Sequence, residues 1–459
     1  MRTFAIGMIM LAATVGSAPA QSNLPASPSD PVRTWNELAL DTVRLKRASD
    51  AQAARLYAMV NVAMYDAVNG IVSQHGHHTG RTHALVPATA APPQGNLYAA
   101  ASAAAHAVLM SEFPDQATQY DGQLQSDLAA LPSGGPTTAG QGWGAYIGTQ
   151  VHTARVNDGS TPNETQPAGS GPGQFPAAWS GVQFRNLAPF GIVDPSVYVG
   201  SGPPALTSLD YAAAFAEAKL VGNAAISDAD KLATYQYWSL GSGTSQPPGA
   251  WMQVALAVTT EAVTTDHPLS LPEMARLFAL SSMAMSDTVA PTVMTKFIYH
   301  HWRPTTAIQQ ATADGNPLTD PDSAWAPRAG SPGSSPEYWS GHSTFSAAAA
   351  AVLAGFFCDD TIAFRLVTDS APGGNDRFYP SFSAAAAEAG RSRVVGGLHF
   401  EFSNQDGLAA GRAVAAEILA NRLLRKDGPT HFGQCPVPEL NDYRGNDNSH
   451  STHIKGGPR

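Results

Sequence analysis

Charge is scarce in this sequence. Asp, Glu, Lys and Arg make up 14% of its 459 residues, only six residues are lysine, and no basic run occurs anywhere. With a formal net charge of −10, the chain lacks the positive patch by which proteins bind nucleic acid or anionic lipid. We therefore expect no nucleic acid and no membrane as partners, and any positive charge with a function must be local.

Long apolar runs are absent beyond the N-terminus. Residues 1–20 combine an early Arg2, an apolar stretch from Phe4 to about Val15 and the small residues Ala18 and Ala20, which is the pattern of a cleaved secretory signal peptide. The alternative is a membrane anchor, but the stretch is shorter than the ~20 residues that a span needs. The mature protein is thus predicted to be secreted or periplasmic after cleavage near Ala20.

Cysteine is nearly absent, since Cys358 and Cys435 are the only two. In an oxidising compartment this pair could form a disulfide. Two buried thiols fit the sequence equally well, because the sequence does not set the distance between them.

Alternation of apolar and polar residues, which marks a half-buried strand, is not sustained anywhere, so sheet is expected to be minor. Alanine-rich segments with larger apolar residues three and four positions apart predict closely packed helices instead. These segments are residues 96–113, 209–225, 272–290, 342–357 and 404–424. Gly, Pro and Ser concentrate in predicted connectors, notably Pro162–Pro176 and Leu240–Gly249. The predicted fold class is all-α.

One helical segment occurs twice. Residues 54–66 (ARLYAMVNVAMYD) and 275–287 (ARLFALSSMAMSD) agree at seven of thirteen positions. Each copy is followed by an Ala-rich helix ending in Ala-Val-Leu, and later by a segment with Arg and Asp-Gly. This pattern predicts two four-helix bundles related by internal duplication, with convergent Ala-rich helices as the alternative. The predicted divisions are a signal peptide (1–20), an N-terminal bundle with connectors (21–265), a second bundle (266–430) and a C-terminal tail (431–459).

The two halves differ in polar residues. Lys296 stands where the first copy has His75, and His342 stands where it has Tyr98. If the helices pack alike in both halves, these polar residues are not needed for folding. We therefore place the functional site in the second bundle. Asp287, which closes the repeated helix, could support a cation or an imidazole there, but a structural role is at least as well supported because the first copy has the same residue.

Three polar clusters follow one another in the second half. In chain order they are Lys296 with Arg303, then Ser340, Gly341 and His342, then Arg393 with His399. A spacing of seven residues would place Lys296 and Arg303 on one face of a helix, ~10 Å apart along its axis. A Ser-Gly-His turn that opens a helix offers a hydroxyl, an unobstructed N–H and the positive end of the helix dipole. Three permanent cations among apolar helices are costly without a multiply charged partner, so the set predicts a bound phosphate-like oxyanion.

The order Lys-x6-Arg-Pro, Ser-Gly-His and Ser-Arg-x5-His resembles the signature of the vanadium-dependent haloperoxidases and of the related acid phosphatase superfamily. The flanking segments WNELALDTV, AMYDAVNGI, PPGAW, HHWRP and GGLHFEFSN are closer to the haloperoxidases, and they extend the resemblance from about Trp35 to Asp427. The resemblance implies an all-α fold of two four-helix bundles with a vanadate or phosphate site in the second. It also implies vanadate as the cofactor, with phosphate able to occupy the same site.

Roles for single residues follow from the resemblance. The implied cofactor-binding set is Lys296, Arg303, Ser340, Gly341, His342, Arg393 and His399. Its three cations would neutralise the vanadate oxygens, Ser340 and the Gly341 N–H would hydrogen-bond them, and His399 would be the ligand of the metal. His342 would act as acid and base toward hydrogen peroxide, and Lys296 would polarise the bound peroxide. The implied partners are hydrogen peroxide, a halide and a small organic acceptor; the oligomeric state is open, a homodimer included.

Two departures from the superfamily pattern keep an alternative in view. Trp339 precedes Ser-Gly-His where Pro is usual, and could shape a pocket, while Ser403 stands where the superfamily often has Asp four residues after the last His. The alternative is a secreted acid phosphatase with His399 as the nucleophile of a phosphohistidine intermediate. A third hypothesis is an oxyanion-binding protein without catalysis. The pair His300-His301 shows no metal-ligand spacing, and both are predicted to be exposed.

Overall fold

The computed structural model describes residues 30–74, 81–260 and 269–424. The predicted signal peptide, the predicted tail from residue 431 and the boundary placed at residues 265–266 lie outside the described residues. Cys358 is disulfide-bonded, and its predicted partner Cys435 also lies outside them.

The fold is all-α, as predicted. Its helices are α1 (Pro31–Lys46), α2 (Asp50–Val72), α3 (Leu97–Glu112), α4 (Ala117–Ala129), α5 (Gly135–Arg155), α6 (Leu209–Val221), α7 (Ala229–Tyr237), α8 (Gln246–Val258), α9 (Leu271–Asp287), α10 (Val289–Tyr299), α11 (Pro304–Gln309), α12 (Gly341–Phe357), α13 (Phe382–Val395) and α14 (Glu401–Asn421). The five Ala-rich segments are α3, α6, α9, α12 and α14. Among the described residues, no helix combines the length and apolarity that crossing a bilayer requires.

Sheet is minor, as expected from the lack of alternation. Strand β1 (Thr165–Gln166) pairs antiparallel with β2 (Trp179–Ser180), and β3 (Phe364–Leu366) pairs antiparallel with β4 (Arg377–Tyr379). Both residues of β2 line the cavity of the candidate active site.

The same packing occurs twice. In the first bundle α3 packs along α5 and against α2 and α4, and in the second α12 packs along α14 and against α9 and α13. The repeated helices α2 and α9 also pack on each other, so both bundles share one buried apolar core. The predicted duplication is therefore visible in the arrangement of the helices.

Equivalent glycines set the closest helix contacts. A Cβ on Gly144 of α5 would lie 2.1 Å from the carbonyl oxygen of Ala100, and a Cβ on Gly411 of α14 would lie 2.2 Å from that of Thr344. Both distances are far inside van der Waals contact, so only glycine lets these helices approach so closely. The Ala-rich helices α3 and α12 each receive such a contact.

Asp66 and Asp287 have the same structural role in the two copies. The Asp66 carboxylate accepts backbone N–H hydrogen bonds from residues 84–86, and the Asp287 carboxylate accepts them from residues 190–192. Burial raises the pKa of both carboxyl groups to about 6, against the lowering effect of these donors. Each aspartate holds a returning loop against the end of its helix, which supports the structural interpretation of Asp287.

The predicted connector at Leu240–Gly249 is wrong at its C-terminal end. Helix α8 begins at Gln246, with Pro247 and Pro248 in its first turn. Proline is tolerated there because the first N–H groups of a helix have no intrahelical acceptor to bond. The connector Pro162–Pro176 forms no helix, and its only strand is the two-residue β1.

Candidate active site

Lys296 and Arg303 reach one cavity from two different helices. Helix α10 ends at Tyr299, His300 caps it in the left-handed region with φ 47°, and Arg303 is the N-cap of α11, which begins with Pro304. The prediction that both cations share one helical face is therefore wrong. Proline disfavours the helical conformation in the residue before it, so the chain turns between the two side chains.

The Ser-Gly-His turn opens a helix, as predicted. Ser340 is fully buried and caps α12, and its Oγ accepts a hydrogen bond from the N–H of Ser343. Gly341 and His342 follow as the first two residues of α12, and both line the cavity. Ser340 itself lies behind the lining residues, so its predicted contact with an oxyanion stays a prediction.

A cavity of about 340 Å³ brings the other predicted residues together. Its lining includes Lys296, Arg303, Gly341, His342, Arg393 and His399. Its apolar wall is made of Trp179, Phe184, Val289, Val293, Phe345 and Leu398. Asp50, the first residue of α2, also lines it. The second bundle thus supplies the cations and imidazoles, while the first half of the chain supplies part of the wall and a carboxylate.

His399 lies between an acceptor and a donor. Its Nδ1 is 2.9 Å from Oε1 of Glu337 and 3.2 Å from Oγ of Ser403, and its Nε2 is 2.8 Å from Nη1 of Arg303. Burial and the Arg303 charge lower the pKa of His399 well below its ordinary value. The lowered pKa favours the neutral imidazole, whose Nδ1 faces Glu337 and whose Nε2 faces Arg303, a lining residue of the cavity.

Lys296 is anchored through backbone carbonyls. Its Nζ donates to the carbonyl oxygens of Pro336, at 2.6 Å, and Glu337, at 3.2 Å. Burial, and then the Arg303 charge, lower the pKa of Lys296 well below its ordinary value. An anion in the cavity would oppose that shift, because it favours the ammonium form.

Arg303 is held on one side and Arg393 is largely free. Arg303 donates from Nε to the carbonyl of Ser335 and from Nη1 to the carbonyl of Leu398, both at 2.8 Å. Arg393 is 9% exposed, and its Nε and Nη1 have no hydrogen-bond partner among the described residues. Burial lowers the pKa of both guanidinium groups to about 10. Such buried orphan donors are costly, and an oxyanion would satisfy them.

His342 lines the same cavity. Its Nε2 lies 3.3 Å from the carbonyl oxygen of Ser239. A carbonyl only accepts, so Nε2 carries the hydrogen and Nδ1 is left with a lone pair. Burial and the Arg393 charge lower the pKa of His342 well below its ordinary value. The ring is therefore a neutral group able to take up a proton.

The donor set fits a tetrahedral or trigonal-bipyramidal oxyanion. Guanidinium forks, an ammonium and helix N-terminal N–H groups all donate, and all favour negative oxygen. The unpartnered N–H groups of Arg393 are the clearest sign of this. An imidazole nitrogen with a lone pair, His399 Nε2, adds a group that could bond to the central atom.

Comparison with known proteins agrees with this geometry. Residues 276–425 match the family described as the VCPO second helical-bundle domain. The chain is similar to the crystal structure of the first bacterial vanadium-dependent iodoperoxidase, with 21% identity, a TM-score of 0.71, and coverage of 87% of this chain and 98% of the other. It is also similar to a bacterial vanadium-dependent chloroperoxidase in its holo form, with 16% identity, a TM-score of 0.62, and coverage of 86% and 95%. No curated protein sequence matches the chain.

The second bundle of this chain resembles the vanadium haloperoxidases. The resemblance rests on the match of residues 276–425, which include every predicted site residue from Lys296 to His399. The solved structures, at this level of identity, show that the fold extends over both halves of the chain.

Trp339, the first departure from the pattern usual in this superfamily, does not line the cavity. Its side chain is 2% exposed and packs with Tyr338, and its Nε1 donates to Oγ1 of Thr292 at 3.1 Å. The suggestion that Trp339 shapes a substrate pocket is not supported, because its ring points into this aromatic cluster. Thr292 lines the cavity, so Trp339 acts on the wall only through that residue.

Ser403, the second departure, replaces the Asp that the superfamily often has at this position. Another residue, Glu337, supplies a carboxylate instead. Glu337 is fully buried and contacts the same imidazole nitrogen that Ser403 contacts. Burial raises the pKa of Glu337, but the side chains of His301 and His399 together outweigh it and lower the pKa far below its usual range. The carboxylate in contact with His399 therefore comes from the loop before α12.

Sequence reasoning missed Glu337 and Asp50. Glu337 had a usable signal, since it is the only acidic residue between Asp322 and Asp359 and lies three residues before Ser340. Asp50 had none, because it reads as an ordinary acidic residue in the first turn of α2.

His300 and His301 are buried, at 6% and 3% exposure, so the prediction of exposed histidines is wrong. His300 becomes the cap of α10, while His301 lies with its Nδ1 3.5 Å from Oε2 of Glu337. Both are drawn inward by the turn between α10 and α11. Neither lines the cavity.

Proposed function

We propose that this protein is a vanadium-dependent haloperoxidase, which oxidises a halide with hydrogen peroxide to a hypohalous acid equivalent that halogenates an organic acceptor. The observation that carries the proposal is the meeting of three buried cations with two neutral imidazoles on one cavity. Such a set has an evident use only around an anion with several oxygens. The match of the second bundle to the VCPO domain family, together with the fold shared with bacterial vanadium haloperoxidases, favours vanadate as that anion.

Vanadate would be held by hydrogen bonds and one imidazole. Lys296, Arg303 and Arg393 would neutralise its oxygens, the N–H of Gly341 at the start of α12 would donate to it, and His399 Nε2 would offer its lone pair. When bound, vanadate would supply a Lewis acid that activates hydrogen peroxide without a change in oxidation state. The apolar wall would exclude water and thereby strengthen these charge interactions.

His342 is suited to move the peroxide protons. Its Nδ1 has a lone pair because Nε2 donates to the carbonyl of Ser239. Its lowered pKa favours the neutral ring, which is the form that can accept a proton. Lys296, whose Nζ is held by two backbone carbonyls and which lines the cavity, would be the cation that polarises hydrogen peroxide for reaction with the halide.

A secreted acid phosphatase is the second candidate, and one contact favours it. Lack of an acidic residue at Ser403 counts against phosphoryl transfer, since a nucleophilic histidine needs an orienting carboxylate. Glu337, 2.9 Å from His399 Nδ1, provides that carboxylate. The same cage would then stabilise a five-coordinate phosphoryl group, and His342 would protonate the leaving group.

Two assays on one preparation separate these functions. The vanadate-loaded protein is given hydrogen peroxide with chloride, bromide or iodide, and halogenation of monochlorodimedone or formation of triiodide is measured. The vanadate-free protein is given p-nitrophenyl phosphate. We expect oxidation of at least one halide that depends on both vanadate and peroxide. Phosphate ester hydrolysis without any halide oxidation would favour the phosphatase, and neither activity, with phosphate still bound, would favour a binding protein.

The site assignment is tested with a matched pair of histidine variants. His399→Ala removes the only predicted ligand of the metal and is expected to abolish halide oxidation, while the fold is retained. His83→Ala changes an exposed histidine far along the chain and is expected to keep the activity. Full activity in His399→Ala would remove the assignment.

Export is also proposed, from the signal-like residues 1–20 and from the disulfide at Cys358, since disulfides persist in oxidising compartments. Expression of the full chain in a bacterial host, followed by N-terminal sequencing of the extracytoplasmic product, is expected to give a start at Gln21. A full-length product retained in the cytoplasm would contradict export.

A further inference from the structure

We infer that Glu337 is the positioning residue of this site. Its carboxylate holds the imidazole of His399 in the tautomer that presents an unprotonated Nε2 to the cavity. The consequence for halide oxidation rests on the proposed function, whereas the consequence for oxyanion binding does not.

The two partners of His399 are of opposite kinds. Glu337 Oε1, 2.9 Å from Nδ1, belongs to a carboxylate that only accepts, and Arg303 Nη1, 2.8 Å from Nε2, only donates. Nδ1 must therefore carry the hydrogen and Nε2 the lone pair. The reverse tautomer would face two hydrogens toward each other at Nε2 and two lone pairs at Nδ1.

Glu337 is itself held rigidly. It has no exposed surface, and its Oε1 accepts a second hydrogen bond from the N–H of Phe400 at 3.0 Å. Its backbone N–H donates to the carbonyl of His301 at 2.8 Å, and its carbonyl accepts from Lys296 Nζ. One residue thereby ties the loop before α12 to the imidazole, to the backbone beside it and to a cation of the cavity.

Ser403 cannot replace Glu337 in this role. Its Oγ lies 3.2 Å from His399 Nδ1, but a hydroxyl can donate as well as accept, so it permits either tautomer. Its position does show where a second carboxylate would fit, because the hydroxyl already lies within hydrogen-bond reach of Nδ1. A carboxylate can therefore be moved from position 337 to position 403 and still reach Nδ1.

The first test moves the carboxylate. Binding of orthovanadate and of inorganic phosphate to the full, peroxide-free chain is measured by calorimetry for wild type, Glu337→Ala and Glu337→Ala/Ser403→Asp. We expect 10- to 100-fold weaker binding in Glu337→Ala, the usual cost of losing a partner of a metal-ligating histidine, and recovery of at least tenfold in the double variant. Glu401→Gln, on the same helix as Ser403, is expected to stay within twofold of wild type.

Several results would overturn the inference. These are unchanged binding in a folded Glu337→Ala, no recovery in a folded double variant, or an equal loss in Glu401→Gln. Because no peroxide or halide is present, these outcomes do not depend on whether the protein is a haloperoxidase or a phosphatase.

A second test needs no variant that might misfold at Glu337. Nitrogen NMR on the wild-type chain with ¹⁵N-labelled histidine, assigned with His399→Gln, reports which ring nitrogen of His399 carries the proton at a pH where the ring is neutral. We expect a protonated Nδ1 and an unprotonated Nε2. A protonated Nε2 would refute the role of Glu337 whatever its effect on stability.

Discussion

The guanidinium of Arg393 lies over the ring of Tyr235, with its central carbon 5.5 Å from the ring centroid, while its Nε and Nη1 have no hydrogen-bond partner among the described residues. A ring face stabilises a cation only modestly, and burial already lowers the pKa of this guanidinium to about 10. The free-energy cost of desolvating the Arg393 charge is therefore not offset until an anion binds. Stability and function are in conflict at this residue.

Replacing Arg393 by methionine should expose that conflict. Arg393→Met removes a buried unpaired charge and keeps much of the volume, so we expect a higher melting temperature for the anion-free protein. The same variant should bind vanadate at least ~100-fold more weakly, because it loses two charge-assisted hydrogen bonds of about 1.5–3 kcal/mol each. Scanning calorimetry with and without vanadate measures both effects. A lower melting temperature together with unchanged vanadate binding would contradict the proposed use of Arg393.

His342 should contribute to the pH dependence of the free energy of unfolding. Its pKa in the folded chain lies well below the ordinary 6.5, so between these values the unfolded chain binds a proton that the folded chain does not. The contribution of the neutral ring to the free energy of unfolding is therefore constant above about pH 7, and it decreases as the pH falls through 6.5. The loss cannot exceed about 1.36 kcal/mol per pH unit for one proton.

His342→Gln isolates this contribution. Urea unfolding of wild type and variant from pH 7.5 to 5 should show a steeper loss of stability in the wild type as the pH falls. Asp66 and Asp287, whose raised pKa values act in the opposite direction, are present in both proteins and cancel in the comparison. Parallel curves would mean that His342 titrates normally.

Sequence patterns predict the fold and identify the cations of the site. They do not predict how those cations are arranged relative to one another. The repeated helix and the Ala-rich segments predict the duplicated bundle because helix periodicity is a local signal. The helix break between Lys296 and Arg303 has a local cause in the sequence, the proline at position 304. The left-handed conformation of His300, which turns the chain, has no comparable sequence signal. The contact of Glu337 with His399 joins residues 62 positions apart, and only tertiary packing brings them together.

The duplicated glycines offer a test of the packing with a control on the same helix. Gly144→Ala and Gly411→Ala should each destabilise the protein by about 1–3 kcal/mol or more, since the new Cβ would meet a backbone carbonyl that cannot move aside. Gly142→Ala, also on α5, meets nothing within 4 Å, and should be neutral or stabilising by up to ~1 kcal/mol from helix propensity. Chemical denaturation of the three variants measures the effects. Equal effects at Gly142 and Gly144 would contradict the close approach of α3 and α5.

Asp50 should tune the oxyanion affinity from the first half of the chain. It lines the cavity, and its Oδ2 lies 3.8 Å from where a Cβ on Gly341 would be. Burial raises its pKa, while the Lys296 charge lowers it. A carboxylate at this place opposes a bound anion, so Asp50→Asn should tighten vanadate and phosphate binding, by about three- to tenfold for a partly screened charge at this range.

The matched control for Asp50 is Asp210→Asn, which removes an exposed carboxylate from the equivalent first turn of α6, away from the cavity. Both variants change the net charge by one unit, so any difference between them reports the local field rather than the overall charge. Calorimetric titration with phosphate at pH 8, where alkaline pH favours the ionised form of Asp50, should show tighter binding for Asp50→Asn alone. If both variants bind phosphate as the wild type does, the first bundle contributes only the shape of the wall, and the electrostatics of the site belong to the second bundle.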